Sequence, residues 1–303
     1  MYLGIEIGGS KLQLGLGEGD GKLAGLWRGT VDAAAGADGI RRQITQAVPE
    51  LLSQTKLEPS QIQGVGIGFG GPVDDATRTV IKSHQIEGWD NFPLADWMSE
   101  LLGWPTVLGN DADVAGLAEA LFGAGMGLSP IFYITIGSGI GGGLIINGEI
   151  YRGCGRGAAE IGHLRLRGLH DGDAILEQLA SGWGMQQILL ELSDGALQAT
   201  AAEIADRADR GDRIAWDVLD FALYRLADGI CQMIALLCPR RIVIGGGVSL
   251  MGDKLLFNPL RHRVANRVFK PFADCYDIMP AVLGEEVVVY GALALARKRL
   301  NVR

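Results

Sequence analysis

The feature that most constrains this chain is a glycine-rich stretch at residues 135–143, which separates two apolar runs. Residues 131–134 read Ile-Phe-Tyr-Ile and residues 144–146 read Leu-Ile-Ile, so the glycines are predicted to form the turn of a β-hairpin. Such a turn lets main-chain N–H groups approach an anion without obstruction by side chains. The stretch therefore predicts a phosphate-binding turn in an α/β protein.

Two other interpretations fit the same glycines. Gly137, Gly139 and Gly142 satisfy the dinucleotide fingerprint, and Glu160 lies near its expected acidic position. That fingerprint needs a helix after the glycines, whereas residues 144–150 read as strand and turn. A glycine-rich hairpin that binds no ligand is the second alternative, and the rest of the chain argues against it.

Length and composition bound the class of protein. A chain of 303 residues has room for two domains, and 48% hydrophobic residues with 46 glycines are typical of a compact, turn-rich α/β protein. The longest apolar run, at residues 230–238, is too short to span a bilayer. A strand that begins at residue 2 leaves no room for a signal peptide, so we expect a cytoplasmic protein without a membrane partner.

Charge and cysteine content exclude further classes. The net charge of −8 argues against nucleic acid as a partner, because binding to phosphate backbones needs a basic face. The cysteines lack the paired spacing of a disulfide framework or a zinc knuckle; they are Cys154, Cys231, Cys238 and Cys275.

The strand pattern at the start of the chain is repeated later. An apolar strand at residues 2–7 ends in Gly8-Gly9-Ser10-Lys11 and is followed by strands at 12–16 and near 23–27. The stretch around Ser138 has the same design of strand, glycine turn and strand. The repetition predicts an internally duplicated α/β architecture, with one phosphate loop from each half facing a shared cleft.

The remaining pattern predicts alternating strands and helices. Strands are expected at 63–69, 105–108 and 241–244, and the last of them runs into a third glycine turn at 245–249. The helical patterns cover residues 36–54, 93–102, 174–192, 200–209, 215–237 and 287–300.

Polar residues stand where several of these elements end. Asn110 and Asp111 follow the strand at 105–108, and Asp111 or Asp113 is expected to act as N-cap of an Ala-rich helix through residue 122. Capping is also the purely structural explanation of these carboxylates. Among small residues farther on, His163 is explained either as a ligand-binding residue or as a structural histidine.

Six segments in the same order resemble the ROK family of sugar kinases, within the actin/hexokinase/Hsp70 ATPase superfamily. They are residues 4–11, 110–112, 137–143, 160–163, 176–182 and 244–249. The resemblance implies a duplicated actin-like ATPase (ribonuclease H-like) fold with two lobes around a central cleft. Residues 1–113 plus 287–303 would form the N-terminal lobe and residues 114–286 the C-terminal lobe.

The resemblance also implies an activity and its residues. Asp111 would be the base in transfer of the γ-phosphoryl group of ATP to a hexose hydroxyl, such as the 6-hydroxyl of glucose. The residues implied to bind the sugar are Gly71, Asn110, Asp111, Glu160, His163 and Glu177. Those implied to bind the nucleotide are Gly8, Gly9, Ser10, Lys11, Thr135, Gly137, Ser138, Gly139, Gly245, Gly246 and Gly247. A homodimer is expected.

Three positions depart from the family pattern. Glu6 stands where an aspartate associated with Mg²⁺ is usual, and it can still act through water. The segment after His163 has no cysteine cluster, so zinc is not expected; the alternative set is His163, His170, Asp171 and Asp173. Asp113 replaces a common asparagine, which places a second carboxylate near the base and could raise the pKa of one of them.

Competing functions come from other classes. A ROK repressor would carry a helix-turn-helix segment before the first glycine motif, which here begins at Gly4. A non-catalytic sugar-binding sensor is supported by Glu6, whereas the presence of Asp111 argues against it. Kinases for fructose or an N-acetylated amino sugar remain as alternatives.

Overall fold

A computed structural model gives the structure of the chain and describes residues 1–83, 85–170 and 172–301. The strands are β1 (Tyr2–Ile7), β2 (Lys11–Gly17), β3 (Gly25–Thr30), β4 (Val65–Phe69), β5 (Val73–Asp74), β6 (Thr79–Val80), β7 (Thr106–Asn110), β8 (Ile131–Ile136), β9 (Ile140–Ile146), β10 (Glu149–Ile150), β11 (Arg165–Arg167), β12 (Asp173–Ile175), β13 (Arg241–Gly245) and β14 (Ile278–Pro280).

The helices of the same residues lie mostly between these strands. They are α1 (Gly36–Thr55), α2 (Leu94–Leu102), α3 (Asp111–Phe122), α4 (Leu176–Ala180), α5 (Gly182–Leu192), α6 (Ala201–Asp209), α7 (Arg213–Leu237), α8 (Asn258–Arg267) and α9 (Val287–Leu300). None of the described helices is long and apolar enough to cross a membrane.

Two five-stranded sheets follow one plan. The first has the order β3-β2-β1-β4-β7, and the second has the order β10-β9-β8-β13-β14. In the first, β1–β2 and β2–β3 are antiparallel, whereas β1–β4 and β4–β7 are parallel. In the second, β9–β10 is antiparallel, whereas β8–β13 and β13–β14 are parallel. The shared order confirms the predicted duplication.

Central strands of both sheets are apolar on both faces. Every residue of β1 is buried, and its Ile5 and Ile7 belong to one core with residues of α1, α2 and β4. Burial on both faces is typical of a strand with helices on either side of its sheet. Glu6 is the one charged residue of β1, and its burial makes it a candidate functional residue.

Helix α9 packs directly on the first sheet and on α3. A Cβ atom at Gly66 of β4 would lie 1.9 Å from the carbonyl oxygen of Ala292, and one at Gly291 would lie 1.9 Å from that of Val114. Glycine is required at both positions because the backbones approach too closely for any side chain.

The chain divides into two compact units by its internal contacts. The first comprises Met1–Gly127, Gly143–Ala158 and Val282–Arg303, and the second comprises Leu128–Gly142 and Ala159–Ala281. The boundary predicted at residue 113 falls within α3, all of which belongs to the first unit. The lobe boundaries taken from the sequence stay a prediction.

The helix predicted at 174–192 is interrupted. The structure places β12 at Asp173–Ile175, ends α4 at Ala180 and begins α5 at Gly182. Ser181 has extended backbone angles and its hydroxyl accepts a hydrogen bond from the N–H of Gly184 at 3.0 Å, so it caps a new helix. The apolar periodicity continues across the break, which hides it in the sequence.

Candidate active site

Asn110 ties the start of α3 to the loop after β4. Its Oδ1 accepts hydrogen bonds from the N–H groups of Ala112 and Asp113 at 2.9 and 3.3 Å, while its Nδ2 donates to the carbonyl oxygen of Gly71 at 3.0 Å. Asn110 is therefore the N-cap, and the expectation that Asp111 or Asp113 caps this helix is wrong. The amide serves better because it accepts from the helix and donates to the loop at once.

Asp111 is the first residue of α3 and lies beside the same loop. Its Oδ1 accepts a hydrogen bond from the N–H of Ala112 at 2.8 Å, and its Oδ2 lies 3.5 Å from the position a Cβ would take at Gly70. The N-terminal end of a helix favours a negative charge. The Asp111 side chain is thus held next to the Gly70–Gly71 backbone.

Glu6 and Lys11 form an ion pair beneath the first glycine turn. The distance from Lys11 Nζ to Glu6 Oε1 is 3.0 Å, and Lys11 also donates to the carbonyl oxygen of Glu285 at 3.1 Å. Burial raises the pKa of Glu6 to about 7 against the lowering effect of Lys11, and the charges of Asp111 and Glu285 raise it further. Glu6 and Asp111 are therefore close enough to repel each other.

A buried amide, which the sequence analysis missed, accompanies Glu6. Gln13 stands opposite Glu6 in the β1–β2 register, and its Nε2 donates to the carbonyl oxygen of Glu285 at 3.4 Å. Gln13 Oε1 and Glu6 Oε2 are both buried without a hydrogen-bond partner in the described residues. The sequence did contain a signal for this residue. Gln13 is a polar residue between Leu12 and Leu14, in a stretch that is otherwise apolar from Leu12 to Leu16.

Arg152 supplies a positive charge to Asp113. Asp113 is 2% exposed, and its Oδ2 pairs with Nη1 of Arg152. The same guanidinium binds Asp75 at 3.1 Å and the carbonyl oxygen of Val73 at 3.1 Å. The second carboxylate of α3 thus has its own counter-charge, and its effect on the pKa of Asp111 stays a prediction.

The glycine stretch at residues 135–143 forms the hairpin that the sequence predicts. Strand β9 follows it directly, so the helix of a dinucleotide fingerprint is absent from this described segment. The N–H of Gly137 donates to the carbonyl oxygen of Gly139 at 2.9 Å, and the N–H of Gly182 donates to that of Gly137 at 2.7 Å. The start of α5 therefore fixes the turn.

Glu177 braces the same turn from α4. Its Oε2 accepts a hydrogen bond from the N–H of Ile140 at 2.8 Å, and a Cβ at Gly139 would lie 2.4 Å from that oxygen. Position 139 therefore has room for glycine but for no larger residue unless Glu177 moves. The sequence implied contact between Glu177 and sugar, and the structure adds a contact with the turn.

Glu160 and His163 flank a single helical turn in the second unit. The N–H of His163 donates to the carbonyl oxygen of Glu160 at 3.0 Å, and both side chains are exposed. Ala159, directly before Glu160, has a φ of 63°, in the left-handed region that disfavours alanine. A Cβ at Gly162 would lie 2.1 Å from the carbonyl oxygen of Ile140, so this segment packs against β9.

The third glycine turn follows β13 and lies against β8. Gly245 stands opposite Thr135 in the register, and Gly246 has a φ of 84° with its Cβ position 2.5 Å from the carbonyl oxygen of Ile136. Apart from adjoining residues, no atom of the described chain lies within 4 Å of the Cβ position of Gly247 or of Gly137. Both positions therefore border open space.

The described residues contain no cluster of three or more His, Cys, Asp or Glu side chains suited to a metal ion. Within the alternative zinc set, His170 pairs instead with Glu191, and Asp171 lies outside the described residues. The expectation that zinc is not bound stays a prediction.

Comparisons with known proteins cover nearly the whole chain. The sequence model of the ROK family matches residues 2–299. A glucokinase of Halalkalibacterium halodurans is 31% identical, covering 99% of this chain and 96% of its own length, and a glucokinase of Thermotoga maritima is 30% identical, covering 99% and 98%.

A solved structure matches as well. A ROK family glucokinase from Streptomyces griseus in complex with glucose and AMPPNP aligns with a TM-score of 0.77 at 29% identity, covering 98% of this chain and 99% of that chain. The predicted actin-like ATPase fold is confirmed by this match together with the two sheets.

Proposed function

The chain belongs to the ROK family, and we propose that it is an ATP-dependent glucokinase in which Asp111 is the catalytic base. The observation that carries the proposal is the Asn110–Asp111 pair at the head of α3, beside the Gly70–Gly71 loop. The full-length similarity to glucokinases, one of them solved with glucose and AMPPNP, supports the substrates.

Asp111 would accept the proton of the sugar hydroxyl during phosphoryl transfer. The hydroxyl oxygen forms a bond to the γ-phosphorus, the bond from that phosphorus to the bridging oxygen breaks, and ADP leaves with the electron pair. A base here must be ionised before the reaction, and the position of Asp111 at the N-terminal end of α3 favours that state.

The residues proposed to bind the sugar would have two roles, positioning of a loop and hydrogen bonding to the sugar. Asn110 fixes the position of the Gly71 loop, while Glu160, His163 and Glu177 offer charged or imidazole groups to ring hydroxyls. A site that pairs each of its polar groups with a hydroxyl discriminates against sugars that leave one unpaired.

The glycine turns would hold the nucleotide. Main-chain N–H groups of residues 9–10 and 138–139 suit the phosphates, since those of Gly8 and Gly137 close the turns themselves. Lys11 would add a positive charge, and the hydroxyls of Ser10, Thr135 and Ser138 would add polar contacts. The open space at Gly247 suits the flat face of adenosine, because no described side chain comes within 4 Å of its Cβ position.

The residues around Glu6 fit a magnesium ion. Oε2 of Glu6 is buried without a hydrogen-bond partner in the described residues while Lys11 occupies Oε1, and the orphaned Oε1 of Gln13 is a second hard oxygen ligand on the same sheet. When bound, Mg²⁺ offsets the charge of the ATP phosphates. Glu6 would hold it through water, since Mg²⁺ keeps several water ligands.

We further propose a cytoplasmic homodimer. Several large apolar side chains of the second unit are exposed, among them Leu250 at 87%, Leu236 at 79% and Phe269 at 57%. Burial of such a set on association is favourable. Light scattering coupled to gel filtration measures the mass, and a monomeric mass across the working concentrations would contradict the dimer.

The test of the function is ADP release from the purified protein with Mg-ATP and a panel of sugars. The panel contains glucose, fructose, mannose, N-acetylglucosamine and N-acetylmannosamine. Turnover that strongly favours glucose is the expected result. Preference for another sugar would support kinase activity with a different acceptor. Thermal stabilisation by sugar without any turnover would favour a non-catalytic sugar-binding sensor.

A further inference from the structure

A cavity of about 150 Å³ lies in the first unit, apart from the residues assigned to sugar and nucleotide. Arginine side chains dominate its polar lining, so we refer to it as the arginine cavity. It is lined by Asp75, Arg78, Thr106, Val107, Leu108, Gly109, Ile150, Arg152, Leu295 and Arg299. Its volume is roughly ten times what one bound water needs.

The arginines of this cavity have more donors than the protein satisfies. Each guanidinium carries five N–H donors. Arg78 binds Asp96 at 2.6 Å and Ser99 at 3.3 Å, and Arg152 binds Asp75, Asp113 and the carbonyl oxygen of Val73. Both therefore keep N–H groups without an acceptor among residues 1–83, 85–170 and 172–301.

Arg299 is the least satisfied of the three. Throughout the part of the chain that the structure describes, no carboxylate lies within 4.0 Å of its guanidinium, whereas Arg78 has one carboxylate partner and Arg152 has two. Asp75 is the acidic residue of the lining. Burial raises the pKa of Asp75 against the opposing effects of Arg152 and Arg299, so this carboxyl group is a weak competitor for their charge.

The main chain of an edge strand forms part of the same lining. Strand β7 is at the edge of the first sheet, and its residues 106–109 line the cavity. An edge strand leaves the N–H groups of its outer side without a strand partner. Guanidinium groups with main-chain N–H groups are the donor set that recognises phosphate.

We propose that the arginine cavity binds a small phosphate-bearing anion, either inorganic phosphate or a phosphate monoester. Arg299 contributes a guanidinium with no carboxylate within 4.0 Å among the described residues, and Arg152 is 9% exposed at its side chain, which keeps its charge weakly screened. Arg152 also pairs with Asp113 in the first turn of α3. An anion bound to Arg152 is therefore connected through the Arg152–Asp113 ion pair to α3, the helix that begins with Asp111.

The test is isothermal titration calorimetry of the full chain with two probes, inorganic phosphate and glucose 6-phosphate. Arg299→Ala should weaken binding by about tenfold or more, because it removes the free guanidinium. Asp75→Asn should strengthen it, since the competing carboxylate is gone. Arg213→Ala, at an exposed arginine of the second unit, makes the same change of net charge and should leave affinity unchanged.

Lys11→Ala separates this site from the first glycine turn. Binding that survives Lys11→Ala and is lost in Arg299→Ala supports the proposal, whether both probes bind or only the ester does. Absence of heat with both probes at millimolar concentration would overturn it. An affinity that falls with Lys11→Ala and not with Arg299→Ala would also overturn it, and would assign the anion to the glycine turn.

Discussion

The two units carry glycine turns of the same topology but fix them by different means. In the first unit, the turn at Gly8–Lys11 ends in Lys11, whose side chain is 42% exposed and pairs with the buried carboxylate of Glu6. In the second, the turn at Gly137–Gly139 is held by main-chain hydrogen bonds to Gly182 and by Glu177, which accepts from the N–H of Ile140. The duplicated sheet therefore determines the position of each glycine turn in its unit. The side chains next to the turn determine which charged groups and hydrogen bonds surround it.

The side chains assigned to the sugar differ between the units in the same way. Asn110 and Asp111 are partly buried and locked by the helix start, whereas Glu160 and His163 are exposed. The proposed base therefore lies in the first unit at a position fixed by hydrogen bonds, whereas two residues proposed for sugar recognition lie in the second unit at exposed positions. The predictions below test that division, from the largest expected effect to the smallest.

Asp111→Asn should lower kcat by about 10³-fold, because the amide cannot accept the proton of the sugar hydroxyl. Sugar binding and thermal stability should change little, since an amide keeps the hydrogen-bond acceptor for Ala112. Steady-state kinetics and calorimetry measure both. Asp38→Asn, which removes a first-turn carboxylate from α1, is the matched control. Full turnover in Asp111→Asn would end the assignment of the base to the first unit.

Glu6→Gln should change the pH dependence of stability in the metal-free protein. A pKa raised from 4.5 to about 7 means that the folded state binds the proton more tightly, so stability from Glu6 is complete below pH 4.5 and is lost as pH rises through 7. The loss is about 3 kcal/mol, at 1.36 kcal/mol per pH unit.

The measurement is chemical denaturation of wild type and variant across that window. The free energy of unfolding should fall less steeply with pH in Glu6→Gln than in wild type. Glu18→Gln, at an exposed position, should keep the wild-type slope. Equal slopes in all three proteins would show that Glu6 is not a buried, proton-binding group.

Glu177→Ala should raise the KM for sugar by roughly 10- to 100-fold, as expected for loss of a charged hydrogen bond. The KM for ATP should rise far less, by about threefold, because the acceptor for the N–H of Ile140 is also removed. His163→Ala separates the two effects, because its side chain makes no hydrogen bond to the described residues of the turn; it should raise the KM for sugar only. A larger effect of Glu177→Ala on ATP than on sugar would place Glu177 in the nucleotide site.

Ala159→Gly should stabilise the protein by about 0.5 kcal/mol, because relief of the left-handed alanine exceeds the entropy cost of glycine. Ala158→Gly, at a residue without positive φ, should destabilise it by a similar amount. Thermal unfolding of the two variants gives opposite shifts of Tm. A lower Tm for Ala159→Gly would show that position 159 carries no strain.

Local patterns predicted most of the elements. The strands from residues 2 and 241 and the helices from residues 36 and 287 are confirmed, because each has an uninterrupted apolar period and a glycine or charged residue at its ends. The break at Ser181 was missed because its extended backbone and the hydrogen bond to its hydroxyl from Gly184 are not encoded in the apolar period. The N-cap of α3 was misassigned because Asn110, Asp111 and Asp113 are all good caps.

By itself, the sequence determined the family, the duplicated α/β fold and the positions of the glycine turns, because order and spacing of short motifs are properties of the chain. Only the tertiary structure decided what those motifs touch. The pairing of Glu6 with Lys11 and Gln13, of Asp113 with Arg152, and of Glu177 with Ile140 joins residues on different strands and helices. Burial and charge at such contacts depend on packing between distant segments, and no local pattern specifies them.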